Sequence, residues 1–269
     1  MGVSGGQRKD LRSVALVTGA TGAIGKAIAR LLAARGDALV LLCRQEEKAE
    51  RAVHEIRAAT GSDHVRYVLV DLSRRASIDE LAERWHGPVH VLVNNAATAP
   101  RRREESPEGI ELQFATNVLG YFWLTQAFRR YLEASAPARV VNVASYWAGG
   151  LDLEDPEFRH RRYDNDLAYR QSKQADRMLT VAFARRLQSR GVAVNACHAG
   201  DVNSTLSNNL GFGGHETPEQ GAATPVWLAT EPAGQAVTGR YFEHRRETRC
   251  RFGEDRGAVE ALYALCASY

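Results

Sequence analysis

The run Val14-Ala15-Leu16-Val17-Thr18-Gly19-Ala20-Thr21-Gly22-Ala23-Ile24-Gly25 decides how the remainder of the chain is read. Val14 to Val17 has the apolar character of a strand covered on both faces. The turn after it opens directly into Ala23 to Arg35, where apolar residues return at helical spacing. Glycines in such a strand-to-helix turn let an anionic group approach the backbone, and the free N–H groups and positive dipole end of the helix favour that anion. Gly19, Thr21, Gly22, Ala23, Ile24 and Gly25 are therefore the expected cradle of a dinucleotide pyrophosphate, with Gly25 also permitting close packing of helix on strand.

Outward from this turn the same alternation repeats. Strand-like runs occur at Ala38–Cys43, Val65–Val70, Val89–Val93, Arg139–Val143 and Val192–Cys197, and helical spacing at Glu46–Thr60, Ser77–Trp85, Glu108–Leu132 and Asp166–Arg190. A helix near Pro218–Leu228, a last strand at Arg240–Phe242 and a closing helix over Gly257–Ala267 complete the pattern. Parallel strands need crossovers of a dozen residues or more, and right-handed crossovers place helices on both faces, so the expectation is an α/β fold of three layers with a doubly wound sheet. One domain over residues 13–269 is expected, preceded by a flexible extension over 1–12. The irregular stretches Ala97–Pro107, Leu151–Asp164 and Asp201–Pro218 each follow a strand, where ligands sit in such sheets.

In a dinucleotide site the second strand ends beside the adenosine ribose, where an acid would bind the 2′-hydroxyl of NAD. Here the chain reads Cys43-Arg44-Gln45, and the Arg44 guanidinium can pair with a 2′-phosphate, which favours NADP(H) over NAD; the alternative is an ordinary solvated charge, with Glu46 keeping NAD open. Asp71, after the third strand, can accept from the adenine amino group or cap the turn before Ser73. Tyr169 and Lys173 stand four apart on one helical face, so an ammonium lies one turn from a phenol and draws its ionisation down from about 10 toward the range of a general acid/base. Ser145, at a strand end, can hold the reacting oxygen or serve as a turn serine. Asn117 is a poor helix former inside Glu108–Leu132, which points to another task or to a satisfied buried amide.

Taken together, Thr18-Gly19 with Ala23-Ile24-Gly25, Asp71-Leu72, Asn94-Asn95-Ala96, Asn117, Ser145 and Tyr169-x-x-x-Lys173 strongly resemble the short-chain dehydrogenase/reductase family, over roughly Val14 to Ser268. Within it, Leu42-Cys43-Arg44, Thr116 to Phe122, Leu167 to Lys173 and Thr238-Gly239-x-Tyr241-Phe242 are similar to the retinol dehydrogenase-like branch. The resemblance implies a Rossmann-type fold with seven parallel strands ordered 3-2-1-4-5-6-7 and an Asn117–Ser145–Tyr169–Lys173 tetrad. It also implies that Lys173 binds the nicotinamide ribose and that Asn117 holds a water in a proton relay. Leu72, Asn95, Ala96, Gly200, Val202 and Ser204 are implied as further cofactor contacts, and the branch commonly prefers NADP(H).

The chain departs from the family in two places. Asn94-Asn95-Ala96 is followed by Ala97 where glycine is usual, and Ala199-Gly200-Asp201 replaces a rigid Pro-Gly turn with a softer, more polar one. Asp201 can bind a polar substrate group or cap the short loop helix. Tyr146, Trp147, Leu206 and Phe212 are expected, with Asp201, to line the substrate pocket.

The reading is thus an NADPH-dependent carbonyl reductase or alcohol dehydrogenase acting on a lipophilic or natural-product-like ketone or aldehyde. The alternatives are an NAD-dependent secondary alcohol dehydrogenase, a non-redox enzyme on the same fold, and a non-catalytic nucleotide sensor. With 35 Lys+Arg against 32 Asp+Glu the net charge is only +3, and the basic clusters Arg101–Arg103 and Arg159–Arg162 have acidic neighbours, so no nucleic-acid partner is expected. The four cysteines form no CxxC pair and the histidines no HExxH, so no metal is expected. No apolar run suits a membrane span or a secretory signal, which predicts a cytoplasmic protein. The family's usual dimer helices, Glu108–Leu132 and Asp166–Arg190, leave a homodimer open.

Overall fold

The computed structural model describes residues 12–269; apart from Arg12, the expected flexible extension lies outside the described residues. The strands are β1 (Val14–Thr18), β2 (Ala38–Cys43), β3 (Val65–Leu69), β4 (Val91–Asn94), β5 (Ala138–Ala144), β6 (Val192–His198), β7 (Tyr241–Glu243) and β8 (Arg246–Thr248). They form one sheet in the order β3-β2-β1-β4-β5-β6-β7-β8. The helices are α1 (Ala23–Ala34), α2 (Glu46–Thr60), α3 (Arg75–Glu83), α4 (Gly120–Ala134), α5 (Asn165–Leu187), α6 (Thr205–Asn209), α7 (Pro218–Thr230), α8 (Pro232–Ala236) and α9 (Arg256–Ser268).

Side-chain alternation in the strands divides the core into two layers. Ala15 and Val17 of β1 face the cluster made with α1, α2 and α7, while Leu16 between them faces the cluster made with α3, α4, α5 and α9. The strand order reverses between β1 and β4, which opens the crevice where ligands bind in doubly wound sheets. Among the described residues no helix is long and apolar enough to cross a membrane.

Two expectations are corrected. The first seven strands are parallel as expected, but β8 adds an eighth, antiparallel to β7. It escapes a sequence reading because the hairpin places His244 and Arg245 at positive φ, 47° and 62°, without the Asn or Gly that usually marks such a turn. The long helix expected over Glu108–Leu132 is instead a π-helical turn at Phe114–Leu119 that runs into α4. Gly120 begins α4 against Leu72, where a Cβ would lie 2.9 Å from the Leu72 carbonyl oxygen. Helix α9 packs against both α4 and α5: the Tyr263 hydroxyl accepts from Gln126 Nε2 at 2.9 Å, and its ring lies 5.0 Å from Phe122 and 5.5 Å from Phe183.

Helix α5 is anchored at its start by Asp164, whose carboxylate accepts from the Leu167 N–H at 2.9 Å. Asp164→Ala should cost about 1 kcal/mol of stability, read from the urea midpoint at unchanged m-value.

Candidate active site

The turn after β1 is shaped by contacts only glycine allows. Gly19 sits at φ +62°, and a Cβ there would lie 2.8 Å from Ala96 Cα; at Gly25 a Cβ would lie 2.3 Å from the Gly19 carbonyl oxygen and 2.6 Å from Asn95 Nδ2. Thr18 binds the facing strand end, its hydroxyl accepting from the N–H groups of Asn95 and Ala96 at 2.7 and 2.9 Å, while Asn95 Nδ2 donates to the Thr18 carbonyl at 2.9 Å. Gly22 leaves the start of α1 without a side-chain cap or first-turn acid. Those exposed amides can receive an anion.

A cleft of about 570 Å³ runs from this turn along the ends of β2 and β3. Gly19, Thr21, Gly22, Ala23, Ile24 and Gly25 form one wall, and Arg44, Asp71 and Leu72 lie on the far side. Asn95, Ala96 and Ser204 close it toward the sheet centre. Arg44 is exposed and makes no ion pair with other described residues. Lys48, one turn into α2, joins it on the wall and was missed in the sequence, where it reads as one more surface cation. Glu46 is turned elsewhere, its carboxylate accepting from the Tyr67 hydroxyl at 3.2 Å. The Asp71 carboxylate lines the cleft yet caps the next turn, accepting from Ser73 N and Oγ at 3.0 and 2.7 Å. These features suit a dinucleotide: close backbone approach, uncapped helix amides, and cations on the far wall.

A smaller cavity of about 70 Å³ adjoins the cleft, sharing Ile24, Asn95, Ala97, Ser204 and Leu206 with it. Ser145, at the end of β5, and Tyr169 and Lys173 of α5 all reach this cavity. Asn117 does not: it is fully buried, its Oδ1 accepts from Thr98 N at 2.8 Å, and its Nδ2 donates to Thr98 O at 3.0 Å and Ser172 Oγ at 3.2 Å. Its side chain thus clamps the strand-four loop rather than facing the cavity.

Lys173 is 2% exposed, and its Nζ donates to the Val143 carbonyl at 2.9 Å and to Asp176 Oδ2 at 2.8 Å. It lies 5.2 Å from the centre of the Tyr121 ring and 5.8 Å from that of Tyr169. Burial alone would lower its affinity for a proton, but the Asp176 carboxylate reverses that and holds the ammonium charged. At Tyr169 the balance differs from the sequence expectation. Burial raises the phenol above its ordinary value, and the Lys173 charge and the Ser145 hydroxyl pull it only part of the way back.

The loop after β6 supplies the remaining wall. Its Leu206 and Phe212 give the apolar side together with Trp147 from the loop after β5, Phe212 lying edge-on to Trp147 at 5.5 Å between centroids. Gly200, Asp201 and Val202 line it as well. Tyr146 stays outside at 51% exposure, but its hydroxyl donates to Asp201 Oδ2 at 3.2 Å. Asp201 does not cap α6; Ser204 does, within a capping box with Ser207. Nor is the Gly200 turn slack: the Glu216 carboxylate accepts from the Asp201 N–H, and Val202 bridges to Glu216. His198, the last residue of β6, also lines the cavity, with burial lowering its basicity against the pull of Asp201. It lies one residue beyond the strand read from sequence, where nothing distinguishes a wall residue from a core one.

Residues 13–211 match the family described as short chain dehydrogenase. Retinol dehydrogenase 13 of Mus musculus is 37% identical over 252 residues, which cover 86% of this chain and 75% of that protein. Among solved structures, an actinorhodin polyketide ketoreductase with NADPH superposes at a TM-score of 0.68 and 27% identity, over 86% of this chain and 95% of that one. The Pseudomonas aeruginosa RhlG/NADP active-site complex superposes at 0.70 and 25% identity, over 90% and 97%.

Gly25→Ala puts a methyl into the contact between α1, Gly19 and Asn95. It should lower stability by about 1–3 kcal/mol in urea denaturation and abolish binding of reduced nicotinamide dinucleotide in a fluorescence titration.

Proposed function

The chain belongs to the short chain dehydrogenase family, a family of oxidoreductases of alcohol and carbonyl groups, and from that premise we propose that it is an NADPH-dependent carbonyl reductase, reversible as an alcohol dehydrogenase, acting on a lipophilic ketone or aldehyde. One observation carries this reading: Ser145, Tyr169 and Lys173 meet on a small cavity that shares five wall residues with the glycine-walled cleft. Bound in that cleft, the nicotinamide supplies or takes the hydride. The Tyr169 hydroxyl donates the proton to the carbonyl oxygen in reduction and recovers it in oxidation. Ser145 Oγ hydrogen-bonds the same oxygen and holds it in line with the phenol. The Lys173 charge makes that proton easier to give up.

Arg44 and Lys48 on the cleft wall, with Glu46 bound to Tyr67 and the Asp71 carboxylate engaged by Ser73, support the 2′-phosphate of NADP(H). The similar polyketide ketoreductase and RhlG structures are complexes with NADPH and NADP, in keeping with that choice. Trp147, Leu206 and Phe212 support an apolar substrate, and the similar proteins are named for a retinoid alcohol and a polyketide ketone.

Tyr169→Phe should reduce carbonyl turnover by roughly 10²–10⁴-fold with NADPH binding unchanged, followed by nicotinamide absorbance; full turnover in this variant would remove Tyr169 as the proton donor. Arg44→Ala should cut the preference for NADPH over NADH by about tenfold, since a charge-assisted bond to the phosphate is lost. A wild-type enzyme that prefers NADH would overturn the cofactor assignment, and product formed without any change in nicotinamide absorbance would transfer the site to non-redox chemistry.

A further inference from the structure

We propose that Asp176 is a positioning residue: a buried counter-ion that holds the Lys173 ammonium beneath the cavity and restrains its pull on the Tyr169 proton. The inference rests on the reading of Tyr169 as proton donor and adds a residue to it. Asp176 stands three positions after Lys173, which brings the two side chains onto one face of α5. Their Nζ and Oδ2 are 2.8 Å apart, with the side chains 2% and 0% exposed. The other carboxylate oxygen, Oδ1, is buried and accepts no hydrogen bond. Its charge is therefore sustained by the ammonium alone, and in a site closed to water that pairing is far stronger than on a surface.

The environment leaves no other group to balance the ammonium. Around it stand Tyr121 from α4, Tyr169 from α5 and Cys197 from β6, and burial keeps each of these in its neutral form. Around Asp176, α9 contributes Cys266, a thiol likewise kept neutral by burial. Near Tyr169 the remaining charge is Asp201, from the loop after β6, with the phenol of Tyr146 beyond it. Of the charges facing Tyr169, only Lys173 favours phenolate, while Asp176 and Asp201 oppose it. A lone ammonium at this depth would draw the phenol toward phenolate strongly. With Asp176 in place the pair is neutral overall, and Tyr169 keeps its proton until a carbonyl oxygen is there to receive it.

The test titrates Tyr169 directly. In protein carrying ring-¹³C tyrosine, the Tyr169 resonance is identified by its loss in Tyr169→Phe, and its phenolate-to-phenol ratio is followed with pH. Asp176→Asn keeps the shape and an acceptor oxygen but removes the charge; with Lys173 still an ammonium by its ¹⁵N resonance, the ratio at a given pH should rise about tenfold, and a Lys173 made neutral by the substitution would overturn the proposed restraint. The high-pH limb of carbonyl reduction should move down by the same amount. In a Lys173→Met background the same substitution should leave the ratio unchanged, since a carboxyl without its ammonium takes up a proton. An unmoved ratio in Asp176→Asn, or an equal rise in the Lys173→Met background, would overturn the proposal. Should Asp176→Asn not fold, Asp176→Ser gives the same reading; loss of folding in both, restored by Lys173→Met, would assign the carboxylate to folding alone and likewise overturn it. A tenfold rise without turnover on any carbonyl would fail the reductase reading and leave the counter-ion standing.

Discussion

A cation sealed beneath an apolar sheet edge must be matched by acceptors and negative charge within hydrogen-bonding distance, and the architecture around Lys173 answers that requirement. The Val143 carbonyl comes from the end of β5 and the Asp176 carboxylate from the next turn of α5. Helix and strand therefore have to stay in fixed register for the charge to remain buried. Buried amides hold the same interface further along: Asn94 Nδ2 donates to Asn142 Oδ1 at 2.9 Å, and Asn142 Nδ2 to Thr180 Oγ1 at 2.9 Å. This polar ladder links β4, β5 and α5 through a core that is otherwise apolar, and an unpaired member would cost more than the bonds contribute.

Opposed effects act on the Tyr169 phenol, and burial is the larger. Burial keeps the phenol protonated, which suits a donor, while Lys173 and Ser145 lower the cost of releasing the proton. A more exposed tyrosine would titrate on its own; a more deeply buried one without the ammonium would not release its proton at all. The placement of α5, with its first turn capped by Asp164 and its length packed under α9, sets where on that scale the residue lies.

Much of this was legible in the chain because each feature had a local cause. Gly19 and Gly25 are required by contacts under 3 Å, and the alternation of strand and helix follows from period-two and period-3.6 burial. What stayed hidden depended on partners distant in sequence. Asp176 reads as a surface acid until α9 is seen to close over it, and Lys48 reads as a surface cation until the cleft is formed. The π-helical turn around Asn117 widens a helix whose apolar spacing hardly changes, so periodicity cannot reveal it. The β7–β8 hairpin uses His244 and Arg245 where glycine or asparagine would have announced it.

The segment beyond the family match deserves equal weight in explaining the site. The match ends at residue 211, yet the later chain supports both Ser145 and Lys173. Arg177 of α5 is buried and donates to the Ser145 carbonyl, and its guanidinium is centred 3.5 Å from the ring of Tyr241 on β7 and 5.7 Å from Phe252 before α9. A buried guanidinium on an aromatic face gains from both the desolvated cation–π contact and the fixed planar fork. Tyr241 and Phe252 therefore hold Arg177, Arg177 holds the backbone of Ser145, and Cys266 on α9 seals the other side of the pair that holds Lys173. The face of α5 that carries Tyr169 and Lys173 is thus shaped from behind by residues that never reach the cavity, and changes there reach those two side chains through geometry and charge.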